Sequence, residues 1–439
     1  MVFLSPRFVL DLLTRLFSSP RVESLAVLLF ALMLMSEGVL AQQVDGADAD
    51  KQTIQMLIKR IDQLEARVAQ LEAGKALATI TSEPVPNPPA PAPAPPTTET
   101  EAPADHFEPG RMDMNKTLLN IRGFGDVSLH GDTGKGDTTS FTLGQLDLFI
   151  TSDISEKFKF LSEVVFEAGT DNVFSVDLER YLLQFSPNDY FNLSAGRYHT
   201  AIGYYNTAYH HSTWLQTATG RPFLFQFEDD GGILPIHNVG VSATGMIPSG
   251  RLGLHYIAEV GNGRASSSPS AEPVQNRVDE DNGKSVNLGF YFRPTGVPGL
   301  QAGVSVYHDG LRPTASPAIS ETIVAAHAVI IRPNFEWLNE ALVIRHAPDG
   351  TSRVFDTPGF YTQISKRFGS YRPYFRYQYV NAPDAEPVFF PKVGRQQGPS
   401  VGVRYDPSEL VALKLQYDHT TLRGQPSTDG LNLQLGFTF

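Results

Sequence analysis

From Lys116 to the C-terminus, apolar and polar residues alternate in short stretches separated by turn-forming residues. The last ten residues, Gly430 to Phe439, carry the pattern most cleanly. Leu431, Leu433, Leu435, Phe437 and Phe439 share one parity, and Asn432, Gln434, Gly436 and Thr438 share the other. That is a strand with one greasy and one polar face. The same alternation is clear in 119–130 (Leu119, Ile121, Val127 and Leu129 against Asn120, Arg122, Asp126 and Ser128) and in 371–380 and 410–418. Residues 157–168 and 320–331 alternate poorly, and the expectation there is a β-bulge.

Sixteen strands are predicted, beginning near residues 118, 143, 157, 177, 190, 237, 251, 284, 299, 320, 335, 357, 371, 398, 409 and 430. The connections sort into two classes. Every second one is a tight turn: Ser155–Lys157, Pro187–Asp189, Pro248–Gly250, Pro294–Gly299, Arg332–Asn334, Gly369–Ser370 and Asp406–Ser408. Those between are longer and polar, such as 131–141, 199–236, 261–283, 308–319, 380–397 and 419–429. A soluble sandwich does not sort its loops in this way. A closed antiparallel barrel crossing a membrane does, with lipid outside, water inside and the last strand paired to the first. With sixteen strands both barrel termini fall on the short-turn side. The predicted fold is therefore an all-β, about 16-stranded antiparallel outer-membrane β-barrel over 116–439, preceded by a helix.

Residues 1–41 read as a signal peptide. Arg7, Arg15 and Arg21 form a basic leader, Leu25 to Met35 an apolar run, and Val39-Leu40-Ala41 a small-residue cleavage site. The rival reading, an anchoring helix, fails on length, because the run is far shorter than the ~20 residues a span needs. Within 42–75, Ile54, Ile61 and Val68 occupy heptad position a and Leu57, Leu64 and Leu71 position d. Arg60 and Arg67 at g precede Glu65 and Glu72 at e by five residues, the spacing of interchain pairs. The expectation is a periplasmic coiled coil that joins copies of the chain; the alternative is an amphipathic helix packed on its own chain. Residues 76–115 are a Pro-rich linker. Pro84 to Pro96, as an extended polyproline-like spacer at ~3.1 Å per residue, would hold the helix roughly 40 Å from the barrel.

Composition adds exclusions. The 439 residues carry a net charge of −12 and no cysteine, so there is no disulfide framework, thiolate metal site or Cys nucleophile. Without a basic run, no nucleic-acid partner is expected. Phe (28) and Tyr (16) are abundant and Trp (2) is scarce, a balance suited to strands and interfacial girdles.

Two segments resemble known families. The C-terminal strand resembles that of bacterial outer-membrane barrels, where a terminal Phe such as Phe439 is part of the signal read by the barrel assembly machinery. Leu193 to Tyr204 (LSAGRYHTAIGY), with a Gly-Arg pair followed by an aliphatic-Gly-aromatic triplet, resembles the strand-to-loop motif of the family that includes the phosphate-selective porins. The resemblance implies a Gram-negative porin, a homotrimer in outer-membrane lipid, that passes small hydrophilic solutes and ions and whose third long loop narrows the barrel. β-Branched residues at a with Leu at d lean instead toward dimers.

On this reading the acidic cluster Glu228-Asp229-Asp230 of the third loop faces basic residues on the wall. Polar parity assigns Arg122, Lys159, Arg180, Arg372, Arg376, Arg404 and Lys414 to the wall, with the inward carboxylates Asp126, Asp147, Glu163, Glu167 and Asp418. Such charges tune which ions pass; equally, they line a wet lumen and satisfy one another. Arg197 shares parity with Leu193 and Ala195, so either a bulge near Gly196 turns it inward or it sits at the rim. From Lys116 on there are 26 basic against 32 acidic residues, a net of −6, so phosphate selectivity does not follow and a general pore is expected. His210-His211 with Glu228 lacks a third metal ligand at fixed spacing. Ser212 beside His211 lacks an orienting acid. No metal, cofactor or chemistry is expected. The alternatives to a porin are a tether from membrane to cell wall through the stalk, and a barrel hydrolase.

Overall fold

The computed structural model describes residues 118–439, apart from 135–137, 170–171, 210–211, 228–230, 265–277, 280–281, 314–315 and 391–392. The signal peptide, the heptads (Ile54, Leu57, Ile61, Leu64, Val68, Leu71) and the Pro-rich linker lie outside the described residues.

Sixteen strands form one closed antiparallel barrel in which each strand pairs with its sequence neighbours. The first eight are β1 (Leu118–Asp132), β2 (Ser140–Asp153), β3 (Phe158–Ala168), β4 (Phe174–Asn188), β5 (Phe191–His199), β6 (His237–Ile247), β7 (Leu254–Gly261) and β8 (Ser285–Phe292). The second eight are β9 (Leu300–Leu311), β10 (Ile319–Arg332), β11 (Phe335–Pro348), β12 (Phe355–Lys366), β13 (Tyr371–Asn381), β14 (Arg395–Ser408), β15 (Val411–Leu422) and β16 (Thr428–Thr438). Each predicted start lies within three residues of an observed one. β1 and β16 close the barrel from Phe124↔Thr438 to Asp132↔Gly430.

The outward face is apolar. Leu431, Leu433 and Leu435 on β16 are 56%, 44% and 37% exposed, while Gln434 between them is 6% exposed. Leu119, Ile121, Leu288, Val304, Val306 and Val324 continue the outward surface. A soluble protein could not leave so many large apolar side chains in water; a barrel in lipid must.

The hydrophobic core sits inside the barrel rather than between layers. Ile323 and Val329 on β10, with Leu338, Leu342 and Ile344 on β11, point inward and pack with Ile202, Leu224, Phe225 and Leu234 of the 200–236 connection. This explains the poor alternation of 320–331: both faces are apolar, one toward lipid and one toward the enclosed segment. The bulge expected there is absent, since β10 pairs without a break with both neighbours. Next to 157–168 there is a bulge, but on the partner strand. The β3–β4 register shifts between Glu163 and Val164, where Glu179 is the extra residue on β4.

Candidate functional site: the barrel interior

Between β5 and β6, residues 200–236 leave the wall and reach strands on the far side. The crossing starts at Gly203, whose φ of 72° suits glycine. Tyr204 and Tyr205 then donate their backbone N–H groups to the Glu340 carboxylate on β11, at 2.5 and 2.9 Å. Tyr361 donates its hydroxyl to the same carboxylate at 2.7 Å. A Cβ on Gly203 would meet Glu340 Oε2 at 2.3 Å, so the Ile202-Gly203-Tyr204 triplet is the shape that lets the carboxylate approach the backbone. A single helical turn, α1 (Tyr205–Ala208), follows. Burial pushes the phenols of Tyr204 and Tyr205 up to about 12, so both stay neutral near neutral pH.

The rest of the segment is held by complementary chemistry from the wall. Glu336 on β11 accepts from the hydroxyls of Tyr209 (3.1 Å) and Thr217 (3.2 Å) and from Gln363 Nε2 (2.8 Å). Cations and amides of β13 to β15 take the backbone. Arg404 Nη1 donates to the carbonyls of Trp214 (2.7 Å) and Gln216 (2.9 Å). Lys414 Nζ donates to the carbonyls of Thr213 (2.6 Å) and Ala218 (3.2 Å). Arg376 donates to the carbonyls of Gly220 (2.9 Å) and Thr219 (3.1 Å). Gln416 and Gln378 accept the N–H groups of Thr219 and Phe223, each at 3.0 Å. Buried backbone groups must find partners, and the far wall supplies them with matching sign.

The sequence-predicted wall residues therefore divide. Arg376, Arg404 and Lys414 hold carbonyls of residues 213–220; Glu228, Asp229 and Asp230, which they were expected to face, lie outside the described residues. Arg122 donates to Thr438 Oγ1 at 3.2 Å, with its guanidinium 5.4 Å from the ring centroids of Phe124 and Trp214. Asp126 accepts from Gln145 N–H (3.2 Å) and Gln434 Nε2 (3.1 Å). Arg372 bonds the Pro333 carbonyl at 3.1 Å, and Lys159 pairs with Asp153 at 3.5 Å, both near short turns. Asp418 accepts from the Ser400 hydroxyl at 2.5 Å.

A second group lies on β2 to β6. Arg180 pairs with the fully buried Glu163 at 2.5 Å, and Asp147, 1% exposed, is on the neighbouring strand. Arg197 is 6% exposed and faces inward: Gly196, at φ 137°, breaks the parity. A Cβ at Gly196 would stand 2.0 Å from the Tyr181 carbonyl oxygen, so only glycine fits the kink. Arg197 then meets the bulged Glu179, with Nε on its carbonyl (3.0 Å) and Nη2 3.6 Å from its carboxylate; His237 Nε2 is 2.8 Å from the same carboxylate. The bulge is what aims Glu179 and Arg180 inward together. Carboxylates of Glu167, Asp177 and Glu179 lie within 4.8 Å of one another, the one group among the described residues with the donor set for a hard cation. Arg197 and His237 already face Glu179.

At the long-loop mouth, His346 on β11 lies between two carboxylates. Its Nε2 is 2.7 Å from Glu321 Oε2, and its Nδ1 hydrogen-bonds Glu386. Glu386 Oε2 also accepts the Val388 N–H at 3.0 Å and bonds that of Phe389, drawing part of the β13–β14 connection inward. Glu336, Glu340, Glu179 and Glu386 were all missed by the sequence reading. Glu336 and Glu340 share the buried parity of β11, a signal that could have found them, but nothing local says that their loop partners lie more than a hundred residues away.

Ser212 is 2% exposed inside the barrel, and its Oγ has no hydrogen-bond partner among the described residues, outside which its proposed neighbour His211 lies. Cavities lie beside the inner segment among the described residues. One of about 360 Å³ lies on the short-turn half against β4 to β10, and one of about 210 Å³ on the long-loop half, against β13 to β16 and β1.

No protein-family model and no curated protein sequence matches the chain. Solved structures do. An anion-selective porin from Comamonas acidovorans is 12% identical, with a TM-score of 0.53 over 74% of this chain and 100% of that one. The outer membrane channel DcaP of Acinetobacter baumannii is 13% identical, with a TM-score of 0.51 over 75% and 99%. OmpF of Salmonella typhi, in complex with daunomycin, is 11% identical, with a TM-score of 0.52 over 75% and 99%. At such identities the likeness is one of fold: this chain has the barrel of the porins.

Proposed function

We propose that the chain is an outer-membrane porin, a water-filled channel through which small hydrophilic solutes and ions diffuse passively. The observation that carries this reading is a closed sixteen-stranded barrel, apolar outside and charged inside, with cavities left open beside a segment folded across it. Residues 200–236 are the constriction. Because Arg376, Arg404 and Lys414 are bound to backbone carbonyls, they hold the constriction more than they face the solute, and selectivity is weak. Residues 1–41 export the chain, the heptads of 42–75 join a homotrimer below the membrane, 76–115 space them from the barrel, and the 430–439 strand engages the assembly machinery.

The test is single-channel recording of refolded, heat-modifiable protein in a planar bilayer under a salt gradient. Stable steps with a small reversal potential are expected. Correctly folded protein without steps would overturn the channel reading and bring the tether forward. Deleting 42–115 should leave conductance per barrel intact and abolish the trimer on native gels.

A further inference from the structure

The larger cavity has a composition that suits a particular solute. It exists because inward positions on neighbouring strands are small: Ser242 and Thr244 on β6, Gly289 on β8 and Ser305 on β9. Arg293, just beyond β8, stands at its short-turn end. Its Nε donates to Gln301 Oε1 at 2.8 Å, and its guanidinium lies 5.0 Å from the Tyr291 ring centroid. Arginine has only donors, so this bond fixes the Gln301 amide with its NH2 toward His327. The Gln301 Nε2 to His327 Nε2 distance is 3.1 Å, which makes that imidazole nitrogen an acceptor and puts the ring proton on Nδ1.

Arg293 has no carboxylate within ion-pair distance among the described residues, unlike Arg180, Arg197, Arg264 and Arg404. Ser305, 6% exposed, lines the cavity with an Oγ that has no hydrogen-bond partner among the described residues. The deep carboxylate, Glu259, is taken up by the Ala201 N–H (3.0 Å) and Asn287 Nδ2 (2.8 Å). The apolar and aromatic part of the wall includes Leu182, Ile257 and Tyr204, with Ser194 and Thr207 as further polar lining.

We propose that this cavity is a solute subsite for small organic monocarboxylates with an apolar or aromatic body. The Nη fork of Arg293 takes the carboxylate end-on, with His327 Nδ1–H and Ser305 Oγ as further polar contacts. One uncompensated cation matches one negative charge, and the apolar wall takes the body. A volume of about 360 Å³ is in the range of small-molecule sites. The assignment names a solute class for the channel proposed above and rests on that reading.

The experiment is calorimetric titration of benzoate into detergent-solubilised, heat-modifiable full-length protein, with inorganic phosphate as competitor and channel recording in parallel. Saturable benzoate binding is expected, weakened about tenfold or more in Arg293→Gln, the loss of one charge-assisted contact. Equimolar phosphate should not displace it. Arg293 is exposed at a strand end, so the variant should fold; Gln301→Leu, which frees Arg293 and His327 from their shared brace, should weaken binding as well. Protein that conducts but binds no benzoate overturns the subsite and leaves the channel standing. Protein that binds but does not conduct overturns the channel alone. Unchanged binding in both variants, or displacement by equal phosphate, overturns the assignment.

Discussion

Phe439 and Gly123 exchange two backbone hydrogen bonds, Gly123 N–H to the Phe439 carbonyl at 2.9 Å and the reverse at 3.0 Å. The Phe439 ring occupies the space where a side chain on residue 123 would stand, with Cζ 2.2 Å from an ideal Cβ. Phe437 covers Gly125 in the same way. The closing seam is thus two aromatic rings laid over two glycines, a device that covers weak strand positions with ring surface. Gly123→Val should push the ring away and cost about 1–3 kcal/mol, as overpacking does. The expected readout is a lower yield of heat-modifiable barrel on refolding, with Gly310→Val, an outward-facing glycine with no atom within 4 Å of its Cβ site, as a tolerated control.

The outward and inward faces of β16 should respond oppositely to charge. Leu433→Arg puts a cation into lipid and should cost about 2–4 kcal/mol near the bilayer midplane. Asn432→Arg, on the inward parity and beside the long-loop cavity, should cost little. Equilibrium unfolding in lipid vesicles measures both, and equal costs would mean that the face assignment is wrong.

Glu340→Ala removes the shared acceptor of two backbone N–H groups and the Tyr361 hydroxyl. Three buried donors without partners should destabilise the inner segment by at least about 3 kcal/mol, given 1–3 for each. Because that segment crosses the interior, the variant should show higher and noisier single-channel conductance with the barrel still closed. Unchanged conductance would separate the segment from the conduction path.

Lys414→Met should behave in the same way for a different reason. Its ammonium serves the carbonyls of Thr213 and Ala218 and Gln434 Oε1 rather than open water. The expected result is increased current noise with little change in reversal potential in a KCl gradient. A large shift toward cation preference, with quiet steps, would mean that Lys414 acts as a selectivity charge.

Gly196→Ala tests the kink that turns Arg197 inward. With φ at 137° and the Tyr181 carbonyl oxygen 2.0 Å from the added Cβ, the substitution should cost about 1–3 kcal/mol or more. Loss of folded barrel on urea titration, shifted to lower midpoint, is the measurement.

The barrel was legible in the sequence because a period-2 pattern is local, and because turns of unequal length report which end of a barrel they occupy. Strand starts such as Ser140 and Arg395, predicted three residues late, are polar continuations beyond the alternating stretch. The interior was legible only as a set of inward residues. Parity marked Arg376, Arg404 and Lys414 as facing the lumen, but not that they would bind carbonyls some 160 to 200 residues away. The bulge at Glu179 breaks parity, so Glu179 went unseen although its neighbour Arg180 was assigned to the wall; at Gly196 the kink left two positions open for Arg197, and the structure takes the inward one.

Since Leu338, Leu342 and Phe225 belong to a packed interior, the free space inside the barrel and the cohesion of the protein depend on the same side chains. The strand ladder around them is held by its own hydrogen bonds. Sequence drift at these positions would therefore alter the enclosed space before it dissolved the wall, and a lineage could widen that space by trimming the interior at a graded thermodynamic cost rather than by rebuilding the barrel.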